Sequence, residues 1–321
     1  LCPIKTNVHL LKYDSAHGKL TEPVTISDDQ QSFIVGSGSN AWKVKSVGGR
    51  VGPSELPWKE LGVDYVLEST GFYKTHSKTD EQGKFVDGYD GHIIAGAKKV
   101  LLSVPASDNI ECTLVCGVND EDLKPGTVCV SNASCTTNCL GPIAKVLNES
   151  FQIQSGFMTT VHSYTNDQKV ADLMHEDLRR SRAAAVNIIP TLTGAAKALP
   201  IVLKSLPQGS LDGISLRVPT ITGSLVDLTV NVKADVTVQQ VKDALKNAAD
   251  KGGFAGILKY TDDPIVSCDI IGDPYSSIVD GSSTKVIKNP DGGSLVKVLS
   301  WYDNEWMYSV RCADIFVRFS K

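Results

Sequence analysis

Three short apolar runs in the first 131 residues constrain the fold most, because each stops at a small or hydroxylated residue. Asp64-Tyr65-Val66-Leu67-Glu68-Ser69-Thr70 ends at Gly71, and Lys99-Val100-Leu101-Leu102-Ser103-Val104 ends at Pro105. Thr127-Val128-Cys129-Val130-Ser131 runs into Asn132-Ala133-Ser134-Cys135. An open parallel sheet needs such endings, since its ligands lie beyond the carboxyl ends of its strands. The second half carries another pattern. Val226, Leu228, Val230 and Val232 alternate with Asp227, Thr229, Asn231 and Lys233, the period of a half-buried strand in an antiparallel sheet. Thr237 is placed to cap a helix whose Val241, Ala244, Leu245 and Ala248 recur at three and four residues. A strand over 296–301 and a helix over 305–319 complete the reading, an α/β unit followed by an α+β unit with the junction near residue 134.

A chain of 321 residues suits two domains, because single cores rarely grow past roughly 250 residues. Net charge is −4, which gives no global electrostatic reason to expect nucleic acid or an anionic membrane as partner. No apolar run approaches the roughly 18 residues of a membrane span. The 8 cysteines are scattered, with no Cys-x-x-Cys pair and no Cys/His cluster at zinc spacing, so no metal site is expected. Scattered cysteines of this kind belong to a reducing compartment, and a cytoplasmic location is the expectation.

Cys135 is the first candidate for chemistry. It follows a strand and opens an amphipathic pattern at Leu140, Ile143, Ala144 and Leu147. A thiol in the first turn of a helix meets free N–H groups and the positive end of the dipole, which favour the thiolate. Pro142 either kinks that helix or marks its true start. By position alone, a cysteine in a Ser/Thr-rich turn is more often a packed side chain than a nucleophile. A nucleophile also needs a base near in space. His162, at the end of the strand expected after the helix, would return to the same sheet edge.

Ser131-Asn132-Ala133-Ser134-Cys135-Thr136-Thr137-Asn138-Cys139 is similar to the active-site signature of phosphorylating glyceraldehyde-3-phosphate dehydrogenases. Tyr13 to Gly18, Glu68 to Gly71, Met158 to His162, Leu178-Arg179-Arg180, Pro190 to Lys197, Leu216 to Thr220 and Trp301 to Glu305 extend the resemblance over about residues 8–321. It implies an incomplete Rossmann-type parallel-sheet domain plus an α+β catalytic domain with a mixed or antiparallel sheet. The NAD(P)-binding unit would be 1–134 with the C-terminal helix 305–321, and the catalytic unit 135–304.

The resemblance also implies the roles. Cys135 would attack an aldehyde and His162 would accept the proton, its imidazolium lowering the thiol pKa. Thr165 and Arg217 match the site for the substrate's phosphate. Ser134, Thr136, Thr193, Gly194 and Arg180 match the site for the attacking inorganic phosphate. Thr70, Gly71, Ser103, Asn304 and Tyr308 match positions that hold the dinucleotide, NAD with NADP not excluded. Glyceraldehyde 3-phosphate and phosphate are the implied partners, and a homotetramer the implied assembly, through the loop 172–194.

The sequence departs from this pattern at its start. A Rossmann half opens with a strand, Gly-x-Gly-x-x-Gly and a helix, and none of these precedes Tyr13. Gly36-Ser37-Gly38-Ser39-Asn40-Ala41 fits the spacing, but Ala41 to Gly49 is short and strand-like, so the region reads as a β-hairpin. The first β-α-β is therefore expected to be absent, and the non-Met start to mark a fragment. Met307 and Val310 stand where relatives carry Gly and Asn. Three alternatives remain open: an erythrose-4-phosphate dehydrogenase, a truncated non-catalytic family member, and a cysteine hydrolase, the last weakened by the match at Asn304.

Overall fold

The structure, a computed structural model, describes residues 2–320. Two sheets organise it. The first has four strands in the order Cys112–Thr113, Cys129–Ser131, Lys99–Leu102 and Tyr65–Glu68, all parallel. Their carboxyl ends carry Thr113, Ser131, Ser103 and Thr70 to one edge, as the run endings require. Phe33-Ile34-Val35 and Trp42–Lys45 pair antiparallel across the Gly/Ser turn, so the Gly-x-Gly-x-x-Ala spacing belongs to a hairpin and not to a strand–helix junction.

The second sheet is mixed and has seven strands. Their order is Ile189–Leu192, Leu211–Val218, Ile153–Ser163, Ser224–Val232, Ser294–Tyr302, Ser277–Lys288 and Leu258–Thr261. Only the pairs at Ile153–Ser163 with Leu211–Val218 and at Leu258–Thr261 with Ser277–Lys288 are parallel. Val226, Leu228, Val230 and Val232 are fully buried while their neighbours are half-exposed, the alternation read from the sequence. Three helices cover this face: Cys135–Phe151, Ala195–Val202 and Val238–Lys251. The other face is open, with Phe157 72% and Leu192 85% exposed. Thr237 caps its helix by accepting the Gln240 N–H at 3.2 Å.

Helix Cys135–Phe151 keeps Pro142 inside it. A proline there removes the bond to the Asn138 carbonyl and costs about 3 kcal/mol. Leu140, Ile143 and Leu147 are fully buried on the sheet, each contributing about 2 kcal/mol, so packing outweighs the proline. The C-terminal helix Trp306–Phe319 leaves the mixed sheet and packs on strand Lys99–Leu102, with Phe319 stacked on Tyr65 at 6.4 Å. No helix among the described residues is long and apolar enough to cross a membrane.

Candidate active site

The catalytic candidates meet because helix and strand run out and back. Cys129–Ser131 ends, three residues turn, and the helix begins at Cys135 with Ser134 as its cap, accepting the Thr137 N–H at 3.0 Å. The chain returns along Ile153–Ser163 and places His162 at the same edge. Cys135 Sγ lies 3.5 Å from His162 Nε2. Register then supplies a third group: His162 pairs with Arg217 on the neighbouring parallel strand. Arg217 Nη1 lies 2.8 Å from His162 Nδ1 and donates to the Ser163 carbonyl at 3.0 Å. Nδ1 is also 2.7 Å from that carbonyl. The two neighbours compete for Nδ1: accepting from Arg217 leaves the ring proton on Nε2, whereas a proton on Nδ1 directed at Ser163 O frees the Nε2 lone pair for the thiol, the tautomer that a base role requires.

The electrostatics bear on the expected imidazolium. Burial and the Arg217 guanidinium push His162 down to about 3, so the resting imidazole is neutral. Burial pushes the Cys135 thiol up; Arg217, the N–H groups of residues 135 and 136 and the Thr136 hydroxyl pull it back only in part. Burial first, and the guanidinium beside the ring second, disfavour an imidazolium next to the thiol. The thiolate-favouring groups are the helix N–H donors and Arg217.

Cys135, His162, Thr165 and Asn304 line a cleft of about 480 Å³, walled on one side by Tyr13 to Ala16. Sequence reading took that N-terminal segment only as a landmark; the structure shows what holds it. His17 Nε2 bonds Asp303 at 2.9 Å, and Nδ1 lies 3.2 Å from Asp14. Asp303 is fully buried and also accepts from the Thr222 hydroxyl and the N–H groups of Gly272, Glu305 and Trp306. Burial works against its charge, but these donors together hold its pKa below the usual carboxylate value.

The expected phosphate ligands separate into three groups. Thr165, Arg180 and Arg217 gather around Asp167: Thr165 donates its hydroxyl to Asp167, and Arg180 bonds it at 2.7 Å. Arg217 Nε is buried and has no protein partner. Ser134 and Thr136 flank the thiol, although both hydroxyls are engaged, Ser134 as the cap and Thr136 with the Tyr302 hydroxyl at 2.9 Å. Thr193 and Gly194 are not brought to the cleft. They line a separate depression of about 560 Å³ with Phe157, Lys197 and Ile214, on the open face of the mixed sheet.

The dinucleotide candidates fit in part. Asn304 Oδ1 accepts from the Ser224 hydroxyl at 2.9 Å, with the Thr222 hydroxyl that serves Asp303 lying 3.4 Å away, which leaves the Asn304 NH2 to serve a ligand in the cleft. A carboxamide is a matching partner. Thr70, Gly71 and Ser103 stand at parallel-strand ends, and Gly71 has φ 75°, which a side chain would strain. The Thr70 N–H and hydroxyl both donate to Glu68, itself buried against His92 at 2.9 Å, and Trp58 Nε1 donates to His92 at 3.0 Å. Nothing in the sequence marked that chain, since its members lie 24 and 34 residues apart. The Tyr308 hydroxyl donates to Ala133 O at 2.9 Å. Met307 is fully buried in the core. Among the described residues no group of three or more His, Cys, Asp and Glu side chains could hold a metal ion.

A thiol beside an imidazole, at the head of a helix that leaves a parallel sheet, defines an enzyme with a cysteine nucleophile, and the Asn304 NH2 in the same cleft suits a ligand that carries an acceptor. Comparison with known proteins narrows this class. The C-terminal domain of glyceraldehyde 3-phosphate dehydrogenase matches residues 134–304, and the NAD binding domain of the same family matches residues 1–76. A glyceraldehyde-3-phosphate dehydrogenase of Borreliella burgdorferi is 52% identical over 97% of this chain and 88% of the relative. One from Mycolicibacterium smegmatis is 50% identical over 97% and 84%, and one from Mycobacterium avium 49% over 97% and 85%. The chain belongs to the glyceraldehyde-3-phosphate dehydrogenase family, and its cofactor is NAD.

Proposed function

We propose that Cys135 and His162 carry the reaction of this chain. That reaction is the phosphorylating oxidation of glyceraldehyde 3-phosphate to 1,3-bisphosphoglycerate with reduction of NAD, as in glycolysis. The observation that carries the assignment is the 3.5 Å approach of Sγ to Nε2 at the helix N-terminus, inside the cleft that also holds Asn304. Sγ forms a bond to the aldehyde carbon while its proton passes to Nε2, and the carbonyl oxygen, as it gains charge, is met by the Cys135 N–H. NAD, when bound, would supply the acceptor for the hydride; Asn304 would hold its carboxamide, and Thr70, Gly71 and Ser103 at the strand ends with Tyr308 of the C-terminal helix would hold the rest of the dinucleotide. Cys135 then holds the acyl group as a thioester, which keeps the energy of oxidation. A phosphate oxygen attacks this carbon, the C–S bond breaks, and His162 returns the proton to sulfur. Thr165 and Arg217 support the substrate's phosphate, and Ser134, Thr136 and Arg180 the attacking one. Thr193 and Gly194 would join them only if the segment before helix Ala195–Val202 moved toward the thiol.

The packing of helix Trp306–Phe319 on the parallel sheet supports grouping 305–321 with 1–134 as the dinucleotide unit, and 135–304 as the catalytic unit. The open apolar face at Phe157 and Leu192, with Val170 91%, Met174 90% and Leu178 81% exposed along the loop 172–194 and its approach, supports a homotetramer. Light scattering at micromolar concentration is expected to give four chains; a monomer would remove that part of the reading. We place the protein in the cytoplasm on its thiol chemistry, since all 8 cysteines are free.

The reaction is tested by following reduced nicotinamide in a mixture of the chain, NAD, phosphate and glyceraldehyde 3-phosphate. Phosphate-dependent reduction, faster than with erythrose 4-phosphate, is the expected result. Faster turnover of erythrose 4-phosphate would change the substrate. No reduction, with Cys135 no more reactive toward iodoacetate than an ordinary thiol, would support a non-catalytic member.

A further inference from the structure

The turn that delivers Cys135 is held in a conformation its own residue disfavours. Ala133, between strand Cys129–Ser131 and the helix, has φ 51°. A Cβ strains the left-handed region. Two other described non-glycine residues share it, Gln30 and Gln152, and both are exposed; only Ala133 is buried.

Side chains capture three consecutive carbonyls of this turn. Asn138 Nδ2 donates to Asn132 O at 2.9 Å and Ser134 O at 3.1 Å, with Asn132 Oδ1 at 3.3 Å sharing one proton. The Tyr308 hydroxyl takes the carbonyl between them, Ala133 O. On the N–H side, Asn132 donates to Leu102 O at 3.0 Å and Ala133 to Ser131 Oγ at 3.1 Å. Asn138 is fully buried, and its Oδ1 has no partner in the fold. An orphaned buried acceptor is costly, so the two donors are what this side chain contributes. Turning the amide over would set oxygen against two carbonyl oxygens, which fixes its orientation.

We propose that Asn138 is a positioning residue for the nucleophile. Its carboxamide, opposed by the Tyr308 hydroxyl, holds the turn 132–134 with Ala133 left-handed and Ser134 extended, so that the helix begins at Cys135 and the thiol meets the helix N–H groups and His162. The proposal rests on the reading of Cys135 as nucleophile. The titratable and charged groups facing Cys135 are His162 and Arg217 from the neighbouring strands, Tyr302 from Ser294–Tyr302, Tyr308 from the C-terminal helix and Cys139 from its own helix. None changes in an Asn138 variant, so a shift in thiol ionisation reports position.

The test is alkylation of the full chain by iodoacetamide against pH, the Cys135 peptide followed by mass spectrometry and exposed Cys268 serving as reference. It needs no cofactor. Asn138→Ala is expected to slow Cys135 about tenfold near neutral pH by moving its ionisation midpoint up about one unit. Adding Ala133→Gly, which takes the left-handed turn without strain, is expected to recover at least about threefold. Tyr308→Phe, which removes a single oxygen, gives a smaller slowing in the same direction and serves if Asn138→Ala does not fold. A folded Asn138→Ala chain with wild-type rate and midpoint overturns the proposal, as does a loss that glycine at 133 leaves unrelieved, or an unchanged Tyr308→Phe. Wild-type Cys135 reacting no faster than Cys268 would instead sink the nucleophile reading itself.

Discussion

Cys135→Ser is expected to lower phosphate-dependent reduction of NAD by at least about 10⁴-fold, as measured by the absorbance assay on folded protein. The size follows from how weak a base the site offers. His162 is pushed down to about 3 by burial and Arg217, so it favours a neutral state and draws little on a hydroxyl proton. A thiol ionises far more readily than a hydroxyl; burial raises this one, and Arg217 and the helix N–H groups pull it back in part. Serine keeps the shape and loses the ionisation. Cys139, one turn further on, cannot substitute: it is fully buried, and burial pushes its thiol up to about 12. Residual activity above a hundredth of wild type would assign the chemistry to another group.

His162→Asn is expected to cost about 10²–10⁴-fold in turnover, since Asn can keep a hydrogen bond to Arg217 or Ser163 but cannot carry the proton. The same variant has a stability signature. The folded pKa of His162 lies below its ordinary value of 6.5, so the unfolded chain binds more protons between pH 6.5 and about 3. Its contribution is therefore full above about 6.5 and is lost as pH falls through that window. Melting temperatures of wild type and variant should differ most in favour of wild type near pH 8, and the gap should close or reverse near pH 4.5. A gap independent of pH would show that His162 titrates as an ordinary histidine. A turnover loss below about tenfold would show that Nε2 is not the proton acceptor.

Much of this site was legible from residue order. The run 131–139 announced a strand, a turn and a helix opening on a thiol, and the alternation from Val226 to Val232 announced a strand with one covered face; both follow from local periodicity. The Gly-x-Gly-x-x-Ala decoy was rejected because the residues after it are short and strand-like, and its strands do pair as a hairpin. What periodicity could not carry was the environment of the pair. The family resemblance makes Arg217 a phosphate ligand; register with His162 also sets it beside the ring, where it adds to burial in keeping the imidazole neutral.

The sequence by itself determined which residues can do chemistry and which elements hold them, because side-chain identity and a two- or three-to-four-residue period are local properties. Only the tertiary structure decided which of them act on one another. His17 reaches Asp303 across 286 positions, and Tyr308 reaches Ala133 across 175. Thr193 and Gly194 face a different cavity from Cys135 although the family motif groups them. The protonation of His162 and the left-handed Ala133 depend on burial and on captured carbonyls. Those are set by which strands and helices come to lie side by side, and no stretch of neighbouring residues encodes that adjacency.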